Sequence, residues 1–365
     1  MFKRIVYISA LLCLANLEIF AQSPTAVLNR VEDQFDQGNL SGIEEALNEN
    51  RGSYFKKDGF SKEEVIRAYR LLTLVHLYND DDSKAEESFI ALLKADPEHP
   101  PTAADPAEFH FLHEKFNSDP IFRLSLKFGI VRAEPAPFTN FGTSDIGSGK
   151  NKTYTPGTGI KFEVNYEYQL PHNLEIIGGL SYSTESFEVN DEIVITDTKG
   201  AVAFSLSESQ TWFKLPVMVR YNINLKGNLT PYLYGGYSLG FLSKSAMAGT
   251  RSGGQPATIS EDVTVSRNKL AHAVIGGAGV KIASKTNFIV FEARYSKGLN
   301  NIVDSNKRFV NQNLLFGAGY VDDNFSQNSI GVSIGYIYSL YKPKKLSNKK
   351  YKKKLQQELK KESNE

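Results

Sequence analysis

Strict alternation of apolar and polar residues governs the chain from position 121 onward, and Ile121–Val131, IFRLSLKFGIV, shows it most cleanly. Phe122, Leu124, Leu126, Phe128 and Ile130 alternate with Arg123, Ser125, Lys127 and Gly129. A period of two places each set on one face of a β-strand. Such a strand fits a soluble sheet with its apolar face inward, or a membrane barrel with that face on lipid. The rest of the chain decides between them.

Eight segments carry the pattern, at 121–133, 158–170, 174–189, 210–223, 231–243, 270–282, 287–296 and 328–341. Each is close to the roughly 9–11 residues that a tilted strand needs to cross a bilayer, or somewhat longer. The connections PHN (171–173), NLKGNLT (224–230) and ASKT (283–286) are short. Those at 134–157, 191–209, 244–269 and 297–327 are long, so short and long alternate without exception. Tight turns at one rim and long loops at the other are the habit of outer-membrane barrels. The long connections are rich in Gly, Ser, Thr and Asn, which predicts solvated surface loops.

Aromatic residues bear on the same choice. With the short turns on the periplasmic side, Phe122, Tyr166, Tyr168, Tyr221, Tyr336 and Tyr338 gather at one end of the apolar phase, as an interfacial belt does. The opposite phase carries Arg123, Lys127, Lys161, Glu163, Glu167, Lys214, Arg220, Glu292 and Arg294. Both signs of charge can pair inside a narrow barrel. The reading therefore puts Arg123 and Lys127 inside and Leu126 on lipid. Arginine at Leu126 should then cost roughly 2–4 kcal/mol, and the same change at Ser125 much less.

The first 120 residues differ. Met1-Phe2-Lys3-Arg4 and the apolar run Ile5–Leu17, with Ala21 before Gln22, predict a secretory signal over 1–21. The chain's one cysteine, Cys13, falls inside that run, so the mature chain has neither disulfide nor thiolate chemistry. Residues 22–119 read as helical. Val27, Leu28, Val31 and Phe35 make one stripe, and Ile43, Ala46 and Leu47 a second. Val65, Ile66, Tyr69, Leu72 and His76 make a third, led by Ser61 and Glu64 in capping-box spacing. Tyr69, Leu72, Ala85, Phe89, Leu92 and Pro97 resemble one tetratricopeptide repeat, with Thr73 where glycine is usual and His76 where an aromatic is. A plain helical bundle is the other reading. Twenty acidic against ten basic residues over 22–120 make this region strongly negative, whereas 342–365 holds ten lysines against three glutamates.

WFKLPVMVRYNI, TPYLYGGYSLG, FEARYSKGLNNI and IGVSIGYIY, all between about 120 and 341, resemble the PorT-like outer-membrane β-barrel family of Bacteroidetes. Pro216, Glu292-Ala293-Arg294-Tyr295 and Gly298-Leu299-Asn300 carry that resemblance most specifically. It implies an eight-stranded barrel and, through the founding member, a link to secretion and gliding machinery. It says nothing of the helical front or the lysine tail.

Catalytic signatures are thin. Walker loops, dinucleotide fingerprints, nucleophile elbows and zinc-type spacings do not occur. His110 and His113 share a helix face but have no third ligand at regular spacing. His272, with Asp262 and Ser266 nearby in sequence, is the candidate for chemistry at the barrel rim. Glu292–Arg294 and Lys214–Arg220 read as lumenal ion pairs.

The expectation is an α+β chain: a signal peptide (1–21), a helical, tetratricopeptide-like periplasmic domain (22–119), an eight-stranded antiparallel transmembrane β-barrel (120–341), and a lysine-rich periplasmic tail (342–365). It is expected to sit in the outer membrane among lipid, without cofactor, metal, enzymatic activity or nucleic acid. It would act as scaffold or accessory subunit for a periplasmic or outer-membrane protein partner, with Lys349, Lys350, Lys352, Lys353 and Lys354 as candidate partner-binding residues. The alternatives are a surface-loop binding protein and a barrel-rim hydrolase.

Overall fold

The computed structural model describes residues 23–48, 59–142, 152–195, 200–223, 225, 227–253, 256–347 and 351. The signal segment 1–21 and the five candidate lysines of the tail lie outside the described residues. Two compact units emerge: 1–119 together with 341–365, and 120–340.

In the first unit the helices are α1 (Pro24–Asp36), α2 (Ile43–Asn48), α3 (Lys62–Tyr78), α4 (Asp82–Ala95) and α5 (Ala107–Glu114). The capping box at the head of α3 is formed: Glu64 N donates to Ser61 Oγ, and Ser61 N donates to Glu64 Oε2 at 2.8 Å. The stripes on α1 and α2 are buried as their spacing predicts. On α3 the buried run is Leu71–His76, and Val65, Ile66 and Tyr69 are only half covered. The reason is that α3 is central. Leu71, Leu72 and Val75 meet α1 and α2, while Leu74 joins Phe89, Leu92, Phe109 and Leu112 of α4 and α5. Thr73 tolerates complete burial because its hydroxyl donates to Tyr69 O at 2.8 Å.

The C-terminal segment belongs to this same unit. Lys344 and Lys345 pair antiparallel with Asn117 and Phe116, and Leu346 N donates to Lys115 O at 2.8 Å. Lys345 Nζ lies 2.6 Å from Glu86, and the Tyr351 ring meets that of Phe111 edge-on at 5.9 Å.

The second unit is built from β1 (Pro120–Thr139), β2 (Thr158–Gln169), β3 (Leu174–Ile195), β4 (Gly200–Asn222), β5 (Leu229–Ser252), β6 (Leu270–Ser284), β7 (Asn287–Gly298) and β8 (Asn324–Tyr341). Each pairs with its sequence neighbours, and β8 pairs with β1, so the ladder returns on itself. His172 and Asn173, both at φ near +60°, turn the chain within the three-residue 171–173 connection, across which Leu170 N donates to Leu174 O at 2.8 Å.

Several strands run well beyond their predicted ends, which corrects the reading of 191–209 and 244–269 as loops. β3 continues to Ile195, β4 starts at Gly200 and β5 reaches Ser252, with 257–262 adding a further strand on β5. The chemical sense of the alternation reverses along them. On β4, Phe213, Leu215, Val217, Val219 and Tyr221 face outward and Lys214 and Arg220 inward. Further up the same strand Val202, Phe204 and Leu206 face inward, while Ser207 and Ser209 are exposed.

Candidate functional site

Inward positions of the eight strands fill the lumen with charge. Arg220 reaches Glu167 at 2.7 Å and Glu175 at 2.9 Å, above the Tyr232 ring. Glu175 also receives Lys281 at 2.6 Å and Arg123 at 2.8 Å. A second tier joins Lys127 to Glu292 at 2.7 Å, and Arg294 to Glu163 at 2.6 Å and Glu292 at 2.8 Å. Lys214 pairs with Glu185. Excluded from water, such charges persist only when paired and hydrogen-bonded. Among the described residues this region holds seven cations (Arg123, Lys127, Lys161, Lys214, Arg220, Lys281, Arg294) against five carboxylates (Glu163, Glu167, Glu175, Glu185, Glu292). A cavity of about 40 Å³ is lined by Lys161, Glu185, Lys214 and Arg294, and one of about 30 Å³ by Lys214 with Trp212, His272 and Gln327. A water needs roughly 10–15 Å³, so each admits only a few.

The long connections build a folded cap over one end. Phe187, Phe204, Trp212, Leu242, Met247, Ile302, Tyr320 and Phe325 form a continuous apolar core, which overturns the expectation of solvated loops. At its heart Arg267 grips Glu208 at 2.6 Å and Asp322 at 2.8 Å, all three buried. Burial would lower the Arg267 pKa, but the two carboxylates outweigh burial and hold it well above its ordinary value. Asp323 accepts from Lys152 Nζ and from Tyr154 Oη, each at 2.8 Å. Burial, then the neighbouring Asp323, pushes the Tyr154 phenol far above its usual range. Lys152 Nζ also donates to the carbonyls of Phe141 and Val321 at 2.6 Å, tying two connections together.

The rim residues do not assemble into a catalytic group. The His272 ring is hydrogen-bonded to Tyr237 Oη. Asp262 instead accepts from Thr264 N at 2.8 Å, and Ser266 is buried with its carbonyl taking Asp304 N. His110 Nε2 lies 3.1 Å from Thr102 O, and His113 packs edge-on against Phe89. Among the described residues no three His, Cys, Asp or Glu side chains are placed to hold a metal ion. Sequence reasoning missed Glu175, Glu185 and Lys281, although each sits at an inward position of its strand. It also missed Glu208, which continues the inward phase of β4 in a stretch read as a loop, and Arg267, Asp322 and Asp323, which lie off the eight strands where no periodic signal exists.

The sequence model of one family, described as "Outer membrane protein beta-barrel domain", matches residues 122–304, half of the chain. The chain belongs to that family. It is therefore an outer-membrane barrel protein, and the exposed Leu126, Phe128, Val217 and Val332 are its lipid-facing residues. The reversal on β4 between Ser209 and Phe213 marks where the hydrocarbon ends. No curated protein matches the sequence. Among solved structures the chain is similar to Neisserial surface protein A (12% identity, 60% of this chain and 97% of that one, TM-score 0.31). It is similar also to OprG of Pseudomonas aeruginosa (8%, 62% and 98%, 0.33) and to Ail, the attachment invasion locus protein of Yersinia pestis (14%, 60% and 99%, 0.26). At these identities and scores the likenesses carry no functional weight.

Proposed function

We propose that this protein is a non-enzymatic scaffold or accessory subunit of an envelope complex for secretion or surface assembly, of the PorT-like kind. Its helical unit and lysine tail lie in the periplasm, and its cap lies on the cell surface. The observation that carries this reading is the joining of segments from both ends of the barrel, Phe116–Asn117 and Lys344–Lys345, into one folded unit. A chain that needed only a membrane anchor would have no use for a second, acidic unit closed by residues from beyond the barrel. The α3–α4 hairpin, resembling a tetratricopeptide repeat, supplies a helical surface for a protein partner. The filled lumen argues against transport.

The test is affinity purification from outer membranes in mild detergent, comparing the full chain with one lacking 23–119 and 342–365. A scaffold loses its co-purifying proteins; retention of all of them sinks the proposal. A second reading, a surface-binding protein, is favoured by Phe309, Val310 and Phe316, which project from the cap with 58, 59 and 73% exposure. Such a protein would keep its ligand in the shortened chain.

A further inference from the structure

The cap and the lumen differ in charge balance. In the cap, Arg267 pairs with Glu208 and Asp322, and Lys152 with Asp323, so these paired cations do not outnumber their carboxylates. The lumen below carries two cations more than it has carboxylates. Excess positive charge in a space shielded from water is relieved by loss of a proton or by a counter-charge.

The geometry shows where that counter-charge belongs. Among the described residues Lys161 is the cation with the poorest pairing in the lumen. Its side chain is 9% exposed, its nearest carboxylate oxygen is Glu163 Oε2 at 3.6 Å, and no hydrogen bond joins it to another described residue. Glu163 is already engaged by Arg294 at 2.6 Å and by Asn165 at 2.7 Å. Lys161 lines the cavity of about 40 Å³, and so does Ser181, whose buried hydroxyl has no hydrogen-bond partner among the described residues. Ser238, Ser296 and Ser329 contribute three more hydroxyls to the same walls, and Lys214 and Arg294 two more cations. The one carboxylate there, Glu185, is taken up by Lys214 and by Ser183 at 3.0 Å. Alongside the apolar Val131, Pro216 and Ile275, the cavity thus presents donors whose acceptors are missing or shared.

We propose that this cavity is a binding site for one small monovalent anion of halide size, held between Lys161 Nζ and Ser181 Oγ. The volume limits the ligand. Room for about three waters fits a chloride or bromide ion with a companion water, and excludes an acyl chain, a sugar or a nucleotide. The ion would neutralise half of the lumenal excess and act as a structural ligand, stabilising the folded barrel by mass action.

Bromide is the probe. The full-length protein, folded in detergent, is melted across a series of sodium bromide concentrations and of sodium gluconate at matched ionic strength. Crystals grown in bromide are measured at the bromine absorption edge. The proposal expects an anomalous peak between Lys161 and Ser181 and a melting temperature that climbs with the logarithm of bromide but not of gluconate. In Lys161→Met both the peak and the bromide dependence should vanish, and in Ser181→Ala the midpoint of the bromide effect should move to several-fold higher concentration. Water alone in the cavity, or equal melting in the two salts, overturns it. If Lys161→Met fails to fold, the wild type and Ser181→Ala decide the matter by the same two readouts.

Discussion

Lys127 of β1 and Glu292 of β7 meet at 2.7 Å in the lumen, reaching past β8 that lies between their strands. The contact joins strands that share no backbone ladder, so it bears on closure of the ring. Its two partners are not equivalent. Glu292 keeps Arg294 at 2.8 Å when Lys127 is removed, whereas Lys127 without Glu292 is left with Glu163 at 3.9 Å. Lys127→Met also reduces the lumenal charge excess, and Glu292→Gln enlarges it. Breaking a buried pair costs about 3–5 kcal/mol when the survivor is stranded. Glu292→Gln should approach that range, Lys127→Met should cost clearly less, and heat-modifiability gels should rank them so. The reverse order would mean that the excess is compensated elsewhere.

Leu126 and Ser125 test the assignment of faces. Leu126 is 47% exposed on the lipid side and Ser125 is fully buried beside Asn165. Arginine at Leu126 should lower stability by about 2–4 kcal/mol in refolding titrations into vesicles. The sequence alone suggests that arginine at Ser125 is mild, but the packing revises this. A long cation there meets a filled lumen already rich in positive charge, and overpacking of this kind costs about 1–3 kcal/mol before any charge penalty. Both variants should be impaired. Only Leu126→Arg should be partly relieved in a thinner bilayer.

How far these features were legible depends on their range in the chain. Lys127, Glu163, Arg220 and Arg294 could be placed inside because a two-residue period is a local property of each strand. The cap could not be seen. Phe204, Met247 and Tyr320 converge from three separate stretches, and each is surrounded by Ser, Thr or Gly that reads as solvated loop. The reversal of chemistry along β4 further disguised the strand, since the apolar set changes face without any break in period. Helix α3 was legible only in part, since Leu72 and His76 of its stripe are buried and Val65, Ile66 and Tyr69 pack against the cores half covered. A stripe marks one buried side, and α3 is covered on two.

That cap changes what proteolysis of intact cells should show. If the long connections were solvated, cleavage would occur throughout 191–209, 244–269 and 297–327. With 200–209 and 244–252 in ladders, and with Arg267, Ile302 and Tyr320 buried, those stretches should resist. Mass spectrometry of shaved peptides should find no ends within 200–209, 244–252 or 299–304. Cuts there would show that these ladders and the core of the cap open.

Asp105 gives the helical unit an acid sensitivity. Its side chain is fully buried, which would raise its pKa. Two hydrogen bonds from Thr102 and the charge of Arg70 outweigh that burial and hold it below the 3.8 of an ordinary aspartate. A depressed carboxylate contributes stability above its unfolded value, and that contribution disappears as pH falls through the folded value. Amides of α3 and α5 should therefore exchange faster as pH drops below about 4, beyond the intrinsic pH dependence of exchange. Asp105→Asn should already show the faster exchange at neutral pH, by about 1–3 kcal/mol of local stability. If the variant and the wild type exchange alike at pH 7, Thr102 and Arg70 are not holding a charge.

The lysine tail is the last element to test, because its beginning has a fixed register. Lys345 is held by Glu86 at 2.6 Å, Leu346 by the Lys115 carbonyl, and Tyr351 by the Phe111 ring. Lys349, Lys350, Lys352, Lys353 and Lys354 therefore start from an anchored point beside a unit carrying ten excess negative charges over 22–120. Screening at physiological salt acts over about 8 Å, so only lysines delivered to close range can contribute. Replacing the five with Gln should remove crosslinks from 352–365 to the helical unit, or to co-purifying proteins, that the wild type shows at low salt. Raising the salt on the wild type should do the same. Tyr351→Ala keeps every charge but loosens the anchor, and should weaken the crosslinks without abolishing them. If the five-Gln chain crosslinks as the wild type does at both salts, electrostatics plays no part and the tail beyond Tyr351 is only a solvated end.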